Sequence, residues 1–446
     1  MLKCYIFVLL SLSISVRAQQ YDFSSIDQLL DDSSALYLNR IYVEVFQDDS
    51  SIYKYQSGNI FCNNIRIPQG SATKWISAGI MLKLAELGWW NLDDSIGMYL
   101  PQFTQYGKGH ITLRQSYSLS SGMFNPGNSN DYHRMSSLTL EQSVDSIAQN
   151  VDILYPTGQM IGYDGTMMHV WGRAAEVVDS LNGNIRDWRT IAKEEFFDLL
   201  FMDSTDYTDF LPNPAVAGGI ETTPCDYLKF LKMISNDGWY NGSQILQPSS
   251  IDEIFTDQTS SAPIYYTFWP NNHPDFPIGL DTLRYTFGGW WLELDNQHNI
   301  TTVCSPGAFG HYPFVDRCRN MYGTFFCFIP AFQGGAQNVM DTYLKFMHMV
   351  RDTVDSQCLL TTSTPESQRA ELVYFPNPTK DHIIIQSKRN VASVQVYSLT
   401  GQIVLEQSFP EIKEIQLNSS NWVRGIYLVS VTQSDGKSEL FKIIKQ

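Results

Sequence analysis

A serine stands three residues before a lysine at three places, "SIYK" (51 to 54), "SATK" (71 to 74) and "SDGK" (434 to 437). A serine hydroxyl becomes a nucleophile only beside a base, and lysine is a base only when neutral. Bringing its pKa from about 10.4 to near 7 takes roughly 4 to 5 kcal/mol, from burial and neighbouring positive charge. "SDGK" reads as a hairpin turn and "SIYK" lies in an alternating, strand-like segment, so "SATK" alone opens a helix. After Lys74 the apolar positions Ile76, Ile80, Leu84 and Leu87 recur at intervals of three and four, and Gly88 is placed to end the helix. Residues three apart share a helix face, so the lysine can reach Ser71. The serine also lies at the positive end of the helix dipole, which favours an oxyanion. An N-cap serine with a surface lysine has the same spacing, and the spacing alone does not choose.

Other candidates are weaker taken singly. Tyr163 in "YPTGQMIGYDGTMMHVWG" is a tyrosine beside glycines, the usual context of a core or loop residue. His311 reads as a partly exposed structural histidine that can touch a ligand. Trp290 and Trp291 read as a buried strand or the wall of an apolar pocket, and Asp93 and Asp94 as helix caps or flanks. No phosphate loop or Cys/His metal spacing appears, so neither cofactor nor metal is expected.

The elements that would hold such a site need a chain able to bury a core. Its 446 residues are 43% hydrophobic and 17% charged, enough to bury a substantial core. The net charge of −16 arises before residue 371, where the chain sums to −17, since residues 371 to 446 carry 8 basic and 7 acidic groups. Such a body repels phosphate backbones, which excludes nucleic acid as a partner. "MLKCYIFVLLSLSISVRAQQ" has a basic start, an apolar run and small residues Val16 and Ala18 before a cleavage site, so residues 1–18 read as a secretory signal. No later stretch approaches the roughly 20 apolar residues of a membrane span. Six further cysteines, Cys62, Cys225, Cys304, Cys318, Cys327 and Cys358, are too few for a disulfide framework; one or two bridges are expected, with Cys225 packed at a helix start.

Helical and strand patterns mix up to residue 360, and "TTSTPESQRAE" (361–371) then reads as a linker. Beyond it, "HIIIQS", "VASVQVYSL", "QIVLEQSF", "EIQLN", "GIYLVSVTQ" and "SELFKIIK" are short β-type segments separated by turn signals, a small antiparallel sandwich. "YFPNPTKD", "VQVYSLTGQIV", "VRGIYLVSV" and the basic "FKIIK" resemble the type A sorting domain of type IX secretion in Bacteroidetes. A carbohydrate-binding or spacer module is the plainer alternative, with Tyr397, Trp422 and Tyr427 as its few candidate aromatics.

"SATKWISAGIMLKLAELGWWNLDDSIGMYLPQF" followed by "ITLRQSYSLSSGM" resembles the serine β-lactamase and penicillin-recognising family, above all its class C-like esterase branch. The segment "NPAVAGGIETTPCDYLKFL" fits the same branch, and the resemblance runs from about residue 30 to 350. It implies that Ser71 is the nucleophile, Lys74 its base, and Tyr163 a proton relay whose phenol pKa is lowered by nearby cations. The family's Tyr-x-Asn has Gly165 where asparagine is usual. Its Lys-Thr-Gly or His-x-Gly strand has Ser305, Pro306 and Gly307. The resemblance further implies an oxyanion hole from the backbone N–H groups of Ser71 and Ala308, with Gly165, Ser305 and Gly307 at the substrate. Losing the amide and the cation removes the groups that grip a β-lactam.

The reading is therefore an α/β fold of the β-lactamase and DD-peptidase type, with helices on a mainly antiparallel sheet (residues 19–360), then a small immunoglobulin-like sandwich (372–446). The expected activity is an esterase-like acyl hydrolase acting on a small ester or amide through an acyl-serine. A β-lactamase or D-amino-acid peptidase, and a catalytically silent binding protein, are the alternatives. The expected partner of the tail is the secretion machinery, the route leads through periplasm and outer membrane to the surface or outside, and no stable membrane insertion is expected.

Overall fold

The largely apolar Ile41–Gln47 (β1) and the more polar Ser50–Ser57 (β2) form an antiparallel hairpin, with Ile41 opposite Ser57. Only β1 has a buried run, so β2 is the outer strand. Four strands from much later join them: Trp290–Leu294 (β3), Ile300–Cys304 (β4), Tyr312–Asp316 (β5) and Met321–Cys327 (β6). The sheet order is β3-β4-β5-β6-β1-β2, every pair antiparallel, and Ile41 opposite Cys327 closes the early hairpin onto the late strands. β4, β5 and β6 are buried at every residue, the pattern of strands covered on both faces. The expected mixed fold with an antiparallel sheet and helices is therefore present.

In this computed structural model the described residues are 21–58, 65–124, 131–259, 262–270, 273–275, 283–295, 298–330, 339–356, 358, 372–375, 379–398, 402–434 and 438–445. The signal segment, the linker and Cys62 lie outside them.

Five helices matter for the site: Ser24–Ser33 (α1), Thr73–Glu86 (α2), Thr166–Leu181 (α3), Pro224–Ser235 (α4) and Met340–Asp355 (α5). Alternation along the strands sends Tyr312 and Phe325 to one face, where Tyr312 stacks on Tyr343 at 4.0 Å and Phe325 meets Phe346, both from α5. His311 and Phe326 take the other face, where the His311 ring lies 4.5 Å from Tyr227 of α4. Tyr227 in turn donates to the Ala72 carbonyl at 2.8 Å, which ties α4 to the start of α2. On that face Trp75 of α2 meets Phe230 of α4 edge-on at 5.8 Å.

α2 ends as its sequence implies, with Gly88 at φ +79 donating to the Ala85 carbonyl. Its surroundings differ from those of a one-sided amphipathic helix: Thr73 to Leu84 are buried without a break. The polar residues among them are paired over long sequence distances. Ser77 donates to the Val216 carbonyl and Lys83 to the Ile245 carbonyl.

In the tail, Leu372–Phe375 (β7), His382–Ser398 (β8), Ile403–Asn418 (β9), Gly425–Gln433 (β10) and Ser438–Lys445 (β11) form one antiparallel network around their own apolar cluster. β8 pairs with β9 along its length and with β7 and β10 on its other edge. "HIIIQS" and "VASVQVYSL" thus lie on one long strand. The polar Lys388, Arg389 and Asn390 between them are passed by a register shift. One disulfide, Cys318–Cys358, joins the chain beyond β5 to the end of α5, and Cys225, Cys304 and Cys327 are free thiols.

Candidate active site

Ser71 lies in a one-turn 3-10 segment, Gly70–Ala72, that runs directly into α2. Gly70 has φ +54, a conformation glycine adopts without strain, and a Cβ there would stand 3.0 Å from the backbone nitrogen of Ala308. That closeness puts the backbone nitrogen of Ala308, an exposed residue, beside Gly70. Neither segment N-cap, Gln69 or Ala72, makes a side-chain capping bond, and Lys74 is only 5% exposed. An N-cap serine with a surface lysine does not describe the pair.

Lys74 Nζ donates to Ser71 Oγ at 3.0 Å and to the Ala217 carbonyl at 3.0 Å, and stands 5.1 Å from the centre of the Tyr163 ring. Burial first, then the charge of Arg134, bring the Lys74 amine down to about 7 against the opposing pull of Asp164 and Asp131. Ala217 belongs to the 215–219 turn, held to α2 by Ser77 on the Val216 carbonyl and by the Ile220 amide on Thr73 Oγ1.

Tyr163 is placed by the backbone: its amide donates to the Tyr266 carbonyl at 3.1 Å, next to the short parallel pairing of Ile161–Gly162 with Ile264–Tyr266. Its ring stacks on Trp290 of β3 at 5.4 Å and meets Phe268 edge-on at 4.8 Å. Trp290 is thus both a buried strand residue and the back wall of Tyr163. Burial holds the phenol above its ordinary pKa, outweighing the downward pull of the Ser71 hydrogen bond and of Arg134. The expected cation-lowered phenol is corrected accordingly, because desolvation is the larger force.

The third motif turns inward. Ser305 is buried and donates to the main-chain carbonyl of Ser71 at 3.2 Å. Gly307 is buried too, and a Cβ on it would stand 2.1 Å from the Gln69 carbonyl. At Gly165 a Cβ would meet Ala217 Cβ at 2.8 Å and come within 3.6 Å of His133 Nε2, so the space of an asparagine is already filled. Ser71, Lys74 and Tyr163 come together, with the Ala308 backbone beside Gly70. Ser305, Gly307 and Gly165 shape their frame.

His311 is fully buried rather than partly exposed, with Nε2 on Thr324 Oγ1 at 2.7 Å and a pKa pushed well down by burial. Asp94 accepts from the Asn91 amide and the Tyr99 hydroxyl, and Asp93 pairs with Arg114, as flanking residues do. Among the described residues no cluster of His, Cys, Asp or Glu fits a metal ion. Sequence reasoning missed His133 beside Gly165 and the Asp131 and Arg134 that contact it; "DYHR" carries no spacing that would have found them.

The beta-lactamase family profile matches residues 56–333, more than half of the chain. The chain belongs to the beta-lactamase family. Two solved structures with the beta-lactamase-type domain illustrate the likeness. A Bacteroides dorei DSM 17855 protein assigned to the beta-lactamases superposes with TM-score 0.61 at 24% identity, covering 73% of this chain and 98% of its own. EstCE1, a hydrolase with promiscuous acyltransferase activity, gives TM-score 0.57 at 16% identity, with coverage of 73% and 98%. At these identities the likeness shows the fold alone. Residues 373–446 match the secretion system C-terminal sorting domain, which marks proteins exported by type IX secretion to the cell surface or outside and implies contact with that machinery. Over 86 residues the chain is 36% identical to the ulvan lyase NLR42 of Nonlabens ulvanivorans, a match spanning 19% of this chain and 16% of that protein's length. No helix among the described residues is long and apolar enough to cross a membrane.

Proposed function

We propose that this beta-lactamase-family chain is a secreted serine acyl hydrolase, esterase-like in substrate. The observation that carries the reading is a buried Lys74 amine 3.0 Å from Ser71 Oγ with its pKa near 7. Neutral Lys74 takes the proton as Ser71 Oγ attacks an ester carbonyl. The oxyanion so formed faces the N–H groups of Ser71 and Ala308. As the C–O bond to the alcohol breaks, Tyr163, protonated near neutral pH, gives its proton to the leaving oxygen and is reprotonated from Lys74. Water then attacks the acyl-serine, its proton passes back through the same pair, and the acid leaves with Ser71 restored.

Substrate preference follows from the altered motifs. The Ser305 hydroxyl is spent on the Ser71 carbonyl, and Gly165 offers no side-chain amide, so the frame favours a simple ester over a β-lactam. Around this centre we read residues 1–18 as signal, 19–360 as the catalytic body, 361–371 as linker and 372–446 as a sandwich-type sorting tail of type A.

A serine-reactive fluorophosphonate tests the reading. Labelling of the intact chain that disappears in Ser71→Ala supports it; absence of labelling in folded protein, together with no turnover of p-nitrophenyl esters, favours a silent binding protein. Rapid hydrolysis of a chromogenic cephalosporin would instead overturn the substrate inference.

A further inference from the structure

Beside Gly165 the fold presents a cation that the steps above do not use. Arg134 ends the turn Tyr132–Arg134. The preceding His133 is buried, with Nδ1 2.8 Å from Asp131 Oδ1 and Nε2 facing the Gly165 backbone. Arg134 Nε donates to His133 Nε2 at 3.3 Å and lies 3.5 Å from Asp131 Oδ2. One edge of the guanidinium is therefore anchored on buried His133 and half-buried Asp131.

The other edge is available. The side chain is 59% exposed, and among the described residues Nη1 and Nη2 have no acceptor. A planar guanidinium fixed by Nε offers its remaining N–H groups as a fork that fits a carboxylate with two parallel hydrogen bonds. The charge is near enough to the reacting groups to pull the pKa of both Lys74 and Tyr163 downward. In a chain of net charge −16, an exposed guanidinium at this place selects for an anion.

We propose that Arg134 recognises a carboxylate on the substrate, in the part lying along Tyr163–Gly165, so that the preferred substrates are esters carrying an acid group. This rests on the acyl-hydrolase reading and narrows its substrate class.

Two matched pairs test it with the full chain. p-Nitrophenyl hydrogen glutarate against p-nitrophenyl pentanoate places the carboxylate on the acyl side; 4-carboxyphenyl pentanoate against phenyl pentanoate places it on the leaving group. Measured at pH 9, where Lys74 is neutral with or without Arg134, kcat/KM should favour the carboxylate member of one pair by about ten- to a hundredfold, the size of a charge-assisted hydrogen bond. Added salt should shrink that ratio, and Arg134→Gln should bring it to about one. No preference in the native chain, or one that survives Arg134→Gln, overturns the proposal. Binding of the glutarate monoester to Ser71→Ala by calorimetry gives a readout without turnover: affinity lost on adding Arg134→Gln supports the anion site even if the native chain proves inert, a result that would count against the hydrolase reading alone.

Discussion

Lys74 Nζ stands 3.0 Å from Ser71 Oγ at the mouth of a helix that is otherwise buried. At that distance an ammonium group can only donate to the serine oxygen, whereas a neutral amine accepts the serine proton. With the amine near 7, activity depends on the deprotonated fraction. The expected profile of kcat/KM on a p-nitrophenyl ester therefore rises through an inflection near pH 7 and is level above it. Lys74→Met should lower the plateau by about 10²- to 10⁴-fold, the usual worth of a positioned base. An inflection near 10, or a variant that keeps its rate, would place the base elsewhere.

The same burial works against stability. In the unfolded chain Lys74 titrates near its ordinary value, and in the folded chain near 7, so below pH 7 folding keeps a charge in an unfavourable place. The penalty is full below 7, falls as pH rises, and vanishes above the unfolded value. Lys74→Met should then raise the thermal midpoint by several degrees at pH 6, with the gain shrinking toward pH 9. Melting curves at the two pH values check this; an equal gain at both would mean that packing, not charge, is responsible.

For Tyr163 the direction of the shift decides the role. Its phenol is held above the ordinary value by burial, so it is protonated wherever Lys74 works. Tyr163→Phe should cost an alkyl ester, whose alkoxide needs a proton, about 10²-fold or more. A p-nitrophenyl ester, whose leaving group needs none, should lose far less. The inflection near pH 7 should stay in place. Equal losses on both esters would remove Tyr163 from proton transfer to the leaving group.

How much of this was legible follows from where the constraints lie. α2 was readable because Ile76, Ile80 and Leu84 repeat along it and Gly88 stops it. Its burial on every side was not, since Lys74, Ser77 and Lys83 find their partners in carbonyls of Ala217, Val216 and Ile245, more than 130 residues away. Tyr163 and the 305 to 308 segment stood out only as an ordered set. The direction of the phenol shift required the Trp290 and Phe268 rings, which local pattern does not supply. Arg134 left no local trace, because an exposed arginine in a loop looks like any other until Gly165 and His133 are placed beside it.

Ser305 separates a framing role from a substrate contact. Its hydroxyl donates to the Ser71 carbonyl at 3.2 Å, and the residue is buried. Ser305→Ala should cost about 1 kcal/mol of stability, the net worth of one hydrogen bond. It should lower kcat by a small factor with KM unchanged, because only the Ser71 backbone loosens. A large rise in KM on neutral esters would return Ser305 to the substrate.

The sharpest test of the oxyanion site is Gly70→Ala. A methyl group there would approach the Ala308 nitrogen to 3.0 Å, tighter than ordinary packing, at a residue with φ +54. The left-handed conformation alone costs a non-glycine residue about 1 to 2 kcal/mol, which a domain of this size can absorb. If the Ala308 N–H faces the developing oxyanion, displacing it should lower kcat by about 10²- to 10³-fold, as loss of one such donor does. Thermal melting establishes that the variant is folded, and burst kinetics with a p-nitrophenyl ester locate the loss in acylation, deacylation or both. Since each step passes through an oxyanion at the same point, both should slow together. A folded variant with native kcat would remove Ala308 from the reaction, whatever the roles of Ser71 and Lys74.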